Sequence, residues 1–229
     1  MAVKFSEYRI NDIQRKLNII GIQPLDLLVT GVTGAGKSTT LNTILQRNEV
    51  KVGYGTEPET MDVSYHTING FFRIWDSPGL GDSFLIDNEH KRKITKLLKK
   101  KYCNNYVDYG FIDMVLVIVD ASSRDLLMTN DLINNVILPS IQPDRVLVAI
   151  NKADSAMYGR HWNHSTNTPD NTLLSFLEEK TVSVKERIKE STKLSIPKPV
   201  YYSAECSYNI DKLLDFIINN MPKIKRYLK

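Results

Sequence analysis

The stretch from Leu25 to Thr40, L-D-L-L-V-T-G-V-T-G-A-G-K-S-T-T, constrains this chain more than any other. An apolar strand from Leu25 to Thr30 breaks into a glycine loop that ends in Lys37 and Ser38 and opens a helix. A nucleoside triphosphate carries more negative charge than one lysine can balance, so the loop from Gly31 to Lys37 must turn backbone N–H groups inward. That requires glycine at crowded positions such as Gly31, Gly34 and Gly36. Lys37 then reaches the β- and γ-phosphates, Ser38 offers a hydroxyl to Mg²⁺, and the helix start aims its positive dipole end at the phosphates. The phosphate-binding residues are therefore Gly31, Gly34, Ala35, Gly36, Lys37, Ser38 and Thr39.

At 229 residues and 42% hydrophobic composition the chain can bury a full core, and one main domain is the economical arrangement. Apolar positions Ile10, Ile13, Leu17 and Ile20 predict an amphipathic helix over residues 3–20, which either packs on the domain or docks a partner. The expected division is a helical segment at 1–23 followed by a domain over 24–229. The segment 48–60 reads as a mobile loop. V-S-Y-H-T-I-N and F-F-R-I-W-D read as two strands joined by a tight turn at Asn69-Gly70. F-I-D-M-V-L-V-I-V-D and R-V-L-V-A-I-N are apolar enough for central strands covered on both faces. Helices are expected over 124–138, 171–193 and 209–228, the last interrupted near Pro222, with P-V-Y-Y-S as a final strand. The fold class is α/β: a mostly parallel six-stranded sheet sandwiched by helices, with one antiparallel edge hairpin.

Two cysteines, Cys103 and Cys206, lack metal-ligand spacing and suit a reducing compartment as packing residues. No apolar run reaches membrane-span length and the first residues are too charged for a signal peptide, so a cytoplasmic protein is expected. The net charge of +4 gathers in K-R-K at 91–93, K-K-K at 99–101 and the tail K-I-K-R-Y-L-K. Such runs are usually solvated faces, and they are also the places where RNA, a ribosome or anionic lipid would be met.

F-F-R-I-W-D ends in Asp76-Ser77-Pro78-Gly79, which puts a carboxylate at the strand end beside the phosphates, where it can hold Mg²⁺ through water. Gly79 lets the backbone N–H approach the γ-phosphate. R-V-L-V-A-I ends in Asn151-Lys152-Ala153-Asp154, and this selects the base. Guanine presents adjacent N1–H and N2–H₂ donors that one ionised carboxylate accepts together, and adenine has no such pair, so Asp154 reads guanine. Asn151 ties this loop to the phosphate cradle, and the Lys152 stem covers the base. At the next strand end, Ser203-Ala204-Glu205, the Ala204 N–H can donate to the guanine O6.

GxxxxGKS, DxxG, NKxD and SAx in this order resemble the translation-factor-related class of P-loop GTPases across nearly the whole chain. The wording G-x-T-G-A-G-K-S-T, W-D-S-P-G-L-G-D and L-V-A-I-N-K-A-D resembles the Era-like group often described as ribosome-binding, and also septins and immune-associated GTPases. The resemblance implies a G domain that hydrolyses GTP to GDP with Mg²⁺, with Lys37, Thr60 and Gly79 as the catalytic group and Ser38, Thr60 and Asp76 around the metal. Thr60, after Pro58-Glu59, is preferred over Thr56 as the switch threonine. Two departures stand out. Leu80 occupies the place of the water-orienting glutamine, and Gly34 that of the asparagine of potassium-activated relatives. Slow turnover alone is expected, with activation through a homodimer or a separate activator. The alternative is an assembly protein in which GTP is a structural ligand at a dimer interface; an ATPase is a third reading.

His161 and His164 in the segment 157–170 offer a metal pair or a stacking surface, although no third ligand type lies nearby. That segment is an insertion beside the base-reading loop and a possible partner contact. Arg124, after Ser122-Ser123, could serve a transition state in cis or across a dimer, or simply start the next helix.

Overall fold

The structure, a computed structural model, describes residues 7–45, 51–54, 64–68, 70–81 and 84–227. Its strands are β1 (Leu25–Gly31), β2 (Lys51–Tyr54), β3 (Ser64–Ile68), β4 (Phe72–Asp76), β5 (Lys101–Asn104), β6 (Val107–Gly110), β7 (Met114–Asp120), β8 (Val146–Asn151), β9 (Trp162–Asn163), β10 (Thr168–Pro169) and β11 (Val200–Tyr201). The α-helices are α1 (Ile10–Ile20), α2 (Lys37–Leu45), α3 (Phe84–Lys99), α4 (Leu127–Leu132), α5 (Asn171–Thr192) and α6 (Ile210–Asn219).

The main sheet runs β11-β8-β7-β1-β4-β3-β2. β1 is parallel to β4 and β7, β7 to β8, and β8 to β11. β3 is antiparallel to both β4 and β2. The mostly parallel sheet with its antiparallel edge hairpin is as the sequence implies. Among the described residues the sheet nevertheless has seven strands rather than six, because β2 forms inside the 48–60 stretch read as a loop, pairing Lys51 with Thr67 through Tyr54 with Ser64. Asn69 lies outside the described residues.

The central strands are covered on both sides, which explains their continuous apolar runs. Side-chain alternation sends Leu28, Val115, Val117, Val148 and Ile150 toward Ile94 and Leu98 of α3, Leu132 of α4, and Leu177 and Ile188 of α5. Leu27, Val29, Leu116, Ile118 and Ala149 face the other way, onto Leu17 of α1, Leu41 and Ile44 of α2, and Leu214 and Ile217 of α6. α1 is therefore a packed member of a three-helix layer. It is pinned by an Arg9–Asp215 ion pair at 2.7 Å and by Lys16 Nζ donating to the Ile218 carbonyl at 2.7 Å.

The segment 124–138 begins its helix only at Leu127 and passes into a π turn at Ile133–Ile137. α6 stops at Asn219, before Pro222, and the tail beyond it bridges β6 through Tyr227 and Tyr109 instead of continuing as a helix. Arg226 in that tail is 1% exposed and donates to the carbonyls of Ile112 and Leu98. A Cβ on Gly110 would stand 1.8 Å from its Nε, so glycine there makes room for the buried guanidinium. The β5–β6 hairpin leaves Cys103 exposed, against its reading as a packing residue; Cys206 is half-buried. Among the described residues no helix is long and apolar enough to cross a membrane.

Candidate functional site

Parallel pairing brings the C-terminal ends of β1, β4, β7, β8 and β11 to one edge of the sheet, where an α/β protein holds its ligands. Gly31, at φ +149°, lies so close to β7 that a Cβ would stand 2.4 Å from the Ile118 carbonyl oxygen. Gly36, at φ +86°, would place one 2.3 Å from Asn151 Nδ2. No L side chain fits at either position. Lys37 is the first residue of α2 and buried, and its Nζ donates to the carbonyls of Gly31 at 3.2 Å and Val32 at 3.1 Å. Its ammonium is thus curled over the loop that the sequence assigns to phosphate. Ser38 is exposed on the first turn of α2, with Thr39 half-buried beside it.

The Asp76–Gly79 loop is zipped to the glycine loop by backbone. Val32 bridges Leu80 in parallel, and Thr33 N–H donates to the Leu80 carbonyl at 2.6 Å. A Cβ on Gly79 would lie 2.7 Å from Lys37 Nζ and 2.8 Å from Thr33 Cα, so only glycine permits the approach of this loop to the cradle. Two residues of α3 hold this loop that sequence reasoning did not single out. His90 Nδ1 lies 2.6 Å from the Gly79 carbonyl, and Asp87 Oδ1 accepts from Gly81 N–H at 2.7 Å. The Asp76 carboxyl is half-buried, and burial raises its pKa against the opposing charge of Lys37. Leu80 is 0% exposed and packs among Trp75, Ile94 and Leu98. Its side chain points into the core, so a water-orienting group is lacking at that position for a structural reason as well as a chemical one.

Asn151 is the knot of the site. Its Nδ2 donates to the Ala35 carbonyl at 3.0 Å and its Oδ1 accepts the Ala204 N–H at 3.0 Å, so one side chain joins three loops. The tie to the cradle is as the sequence implies. The Ala204 amide, expected to face a guanine carbonyl, is instead engaged by Asn151, because both loops leave the sheet side by side. Asp154 is held by Ser203 Oγ at 2.5 Å and Ser155 Oγ at 2.8 Å, which fixes the direction of its carboxylate. Glu205 is exposed next to the buried Ala204.

Lys152 adopts φ +62° and turns its Nζ to Asp120 Oδ2 at 2.7 Å. Burial disfavours the charged form of Asp120, but hydrogen bonds from Lys152 and Ser122 outweigh it and hold the carboxyl below its usual range. Asp120, the last residue of the F-I-D-M-V-L-V-I-V-D run, is a further residue of the site that sequence reasoning did not single out. A cleft of about 390 Å³ opens here, lined by Thr33, Gly34, Asp120, Met128 and Lys152. Thr56 and Thr60 lie outside the described residues. His161 pairs its Nδ1 with Asp170 Oδ2 at 2.7 Å, where Asp170 also caps α5 through the N–H groups of Thr172 and Leu173.

Cutting the knot should cost binding. Asn151→Ala is expected to weaken GDP and GTP alike by at least about tenfold, because each freed loop leaves a polar group unpaired. Titration with a fluorescent guanine nucleotide measures it, and unchanged affinity would show that the three loops hold their places without it.

Residues 26–152, over half the chain, match the family described as 50S ribosome-binding GTPase. The chain belongs to that family. This GTPase is 23% identical over 165 residues to a probable GTP-binding protein EngB of Syntrophomonas wolfei, covering 72% of this chain and 81% of that protein. Its fold is similar to that of Toc33 from Arabidopsis thaliana in complex with Mg²⁺ and GMPPNP, at a TM-score of 0.59 and 14% identity over all of both chains. A dimerization-deficient arginine-to-alanine mutant of Toc33 superposes at 0.58, with 15% identity over 99% of each chain. At such identities the likeness is one of fold. The family match ends at Lys152, short of Asp154 and of Ser203 to Glu205.

Proposed function

We propose that this GTPase binds GTP with Mg²⁺ along the strand-end edge, cleaves the β–γ phosphoanhydride by attack of water, and changes partner affinity as the nucleotide changes. The observation that carries the reading is the Asn151 knot, which holds the cradle against the two loops that would read the base. Lys37 and the amides of the loop through Thr39 neutralise charge that develops on the bridging and γ-phosphate oxygens. Asp154 accepts the two guanine donors. The Ala204 amide adds a bond to the base only if it exchanges its Asn151 partner.

The donor set near Lys37 fits magnesium. Ser38 offers an exposed hydroxyl, and the half-buried Asp76 carboxyl carries a burial cost that a hard dication would offset. Ser38, Asp76 and Thr60 would hold it, and it supplies charge neutralisation at the β- and γ-phosphates. With Gly79 in contact range of Lys37, a γ-phosphate arriving there would be felt directly by the loop that His90 and Asp87 anchor. That loop is the natural switch.

The buried Leu80 supports slow turnover alone, with a second copy or a separate activator supplying what the site lacks. It also supports the second reading, an assembly protein for which GTP is chiefly a structural ligand. A cytoplasmic setting and contact with the ribosome are the finer expectations of the family. If a second copy completes the site, GTP turnover per molecule should rise with protein concentration, in step with dimer measured by light scattering. A monomer in both GDP and GTP-analogue forms, with flat activity, would remove the dimer from this account.

A further inference from the structure

A groove of about 610 Å³ lies beside the base-reading loops, between the segment after β7, the segment after β8 and the flank of α5. Its apolar surfaces are Ala121, Met157 and Phe176, and Tyr158, 84% exposed, lines one side. Around it stand four cationic side chains, Arg124, Arg160, Lys180 and Arg187, against one acid, Glu179. Among the described residues none of the four makes an ion pair, although Lys152, Lys198, Lys91 and Arg73 elsewhere each find a carboxylate within 2.7 Å. Lys180 and Arg187 donate instead to the backbone carbonyls of Ser123 and Arg124, and Arg124 reaches only the Tyr158 hydroxyl, at 3.4 Å. Burial and the like charge of Arg187 lower the Lys180 ammonium pKa, against the opposing charge of Asp120.

We propose that this groove is the docking site for an acidic, leucine-like segment of a partner protein. Its carboxylates would meet Arg160, Lys180 and Arg187 while its apolar side chains cover Met157 and Phe176. An apolar floor inside a cationic rim is the complement of alternating acidic and aliphatic side chains, and arginine clusters read acidic motifs in this way. A sugar-phosphate backbone carries no branched aliphatic side chain to place on that floor. The groove is also wired to the base-reading loop: Ala121 N–H donates to the Asn151 carbonyl at 2.9 Å, and Asp120 pairs with Lys152. Occupancy should therefore couple to guanine nucleotide, and binding free energies couple reciprocally. That coupling rests on the nucleotide reading above, whereas the docking itself does not.

The test uses the full chain, nucleotide-free, and a short fluorescein-labelled peptide of alternating glutamate and leucine followed by fluorescence anisotropy. Saturable binding is expected. Arg160→Glu and Arg187→Glu should each weaken it at least about tenfold, and Lys189→Glu, outside the groove on the same helix, should leave it unchanged. Arg160 is exposed on a loop, so its variant keeps the test sound even if the Arg187 variant folds poorly. Peptide affinity should then differ between GDP-loaded and nucleotide-free protein. Loss of that difference alone would count against the coupling and leave the docking result standing. Absence of saturable binding, or equal binding by the groove variants, overturns the proposal. So does tighter, groove-dependent binding of a charge-matched single-stranded RNA, or a dimer that the same variants dissolve, since each names a different occupant.

Discussion

Asp154→Asn should lose guanine nucleotide by a factor on the order of 10⁴ and gain xanthosine nucleotide in its place. The carboxylate accepts two adjacent donors of guanine, and an amide at the same position turns a donor toward one of them. Xanthine carries a carbonyl where guanine carries its amino group, and that carbonyl can accept from the amide. Ser203 Oγ at 2.5 Å and Ser155 Oγ at 2.8 Å position the carboxylate, and the amide oxygen of asparagine can keep the Ser203 bond, so the substitution changes the hydrogen-bonding code more than the geometry. Competition between GTP and XTP for a fluorescent nucleotide reads the effect. Unchanged GTP affinity would mean that the base is read elsewhere.

The second large effect lies at the opposite edge of the sheet. Asp113 is 3% exposed, and burial pushes its carboxyl up to about 7; the Asp26 N–H bond and the charges of Arg145 and Arg226 oppose the rise, while the neighbouring Asp26 charge adds to it. The folded pKa stands above the unfolded value. The stabilisation from holding the proton is therefore complete below about pH 4 and is lost as pH rises through 7. Three pKa units correspond to about 4 kcal/mol. Asp113→Asn keeps an acceptor for the Asp26 N–H, now bonded to Asp113 Oδ2 at 2.9 Å, and removes the charge. Relative to the native chain it should gain stability by roughly that amount between pH 4 and pH 8, as measured by urea unfolding. A difference independent of pH would show that Asp113 titrates like an exposed carboxylate.

The parts of the molecule written in local pattern were legible. The glycine loop, the two strand-end motifs and the runs of β7 and β8 each carry their signal within a few residues, and a sheet buried on both faces leaves few other ways to arrange them. What escaped depends on partners far apart in sequence. The tail K-I-K-R-Y-L-K reads as a solvated charged end, yet Arg226 is buried because the carbonyls of Leu98 and Ile112 converge on it and Gly110 leaves it space. His90 and Asp120 enter the site through single contacts, with Gly79 and Lys152, that no spacing rule announces. β2 was missed because the segment 48–60 reads as a loop, whereas edge pairing with β3 decides its conformation. Leu80 was seen as a departure from the glutamine of related proteins. That its side chain is buried among Trp75, Ile94 and Leu98 needed the fold.

The most direct measurement of the central claim is Mg²⁺-dependent phosphate release from GTP and from ATP by the purified chain at low protein concentration. The account predicts release from GTP alone, slow, on the order of 10⁻⁴ to 10⁻² s⁻¹ as for G domains without an external activator, and abolished in Lys37→Ala. Equal release from ATP would contradict the guanine assignment, and fast release from GTP by dilute protein would contradict the role given to Leu80.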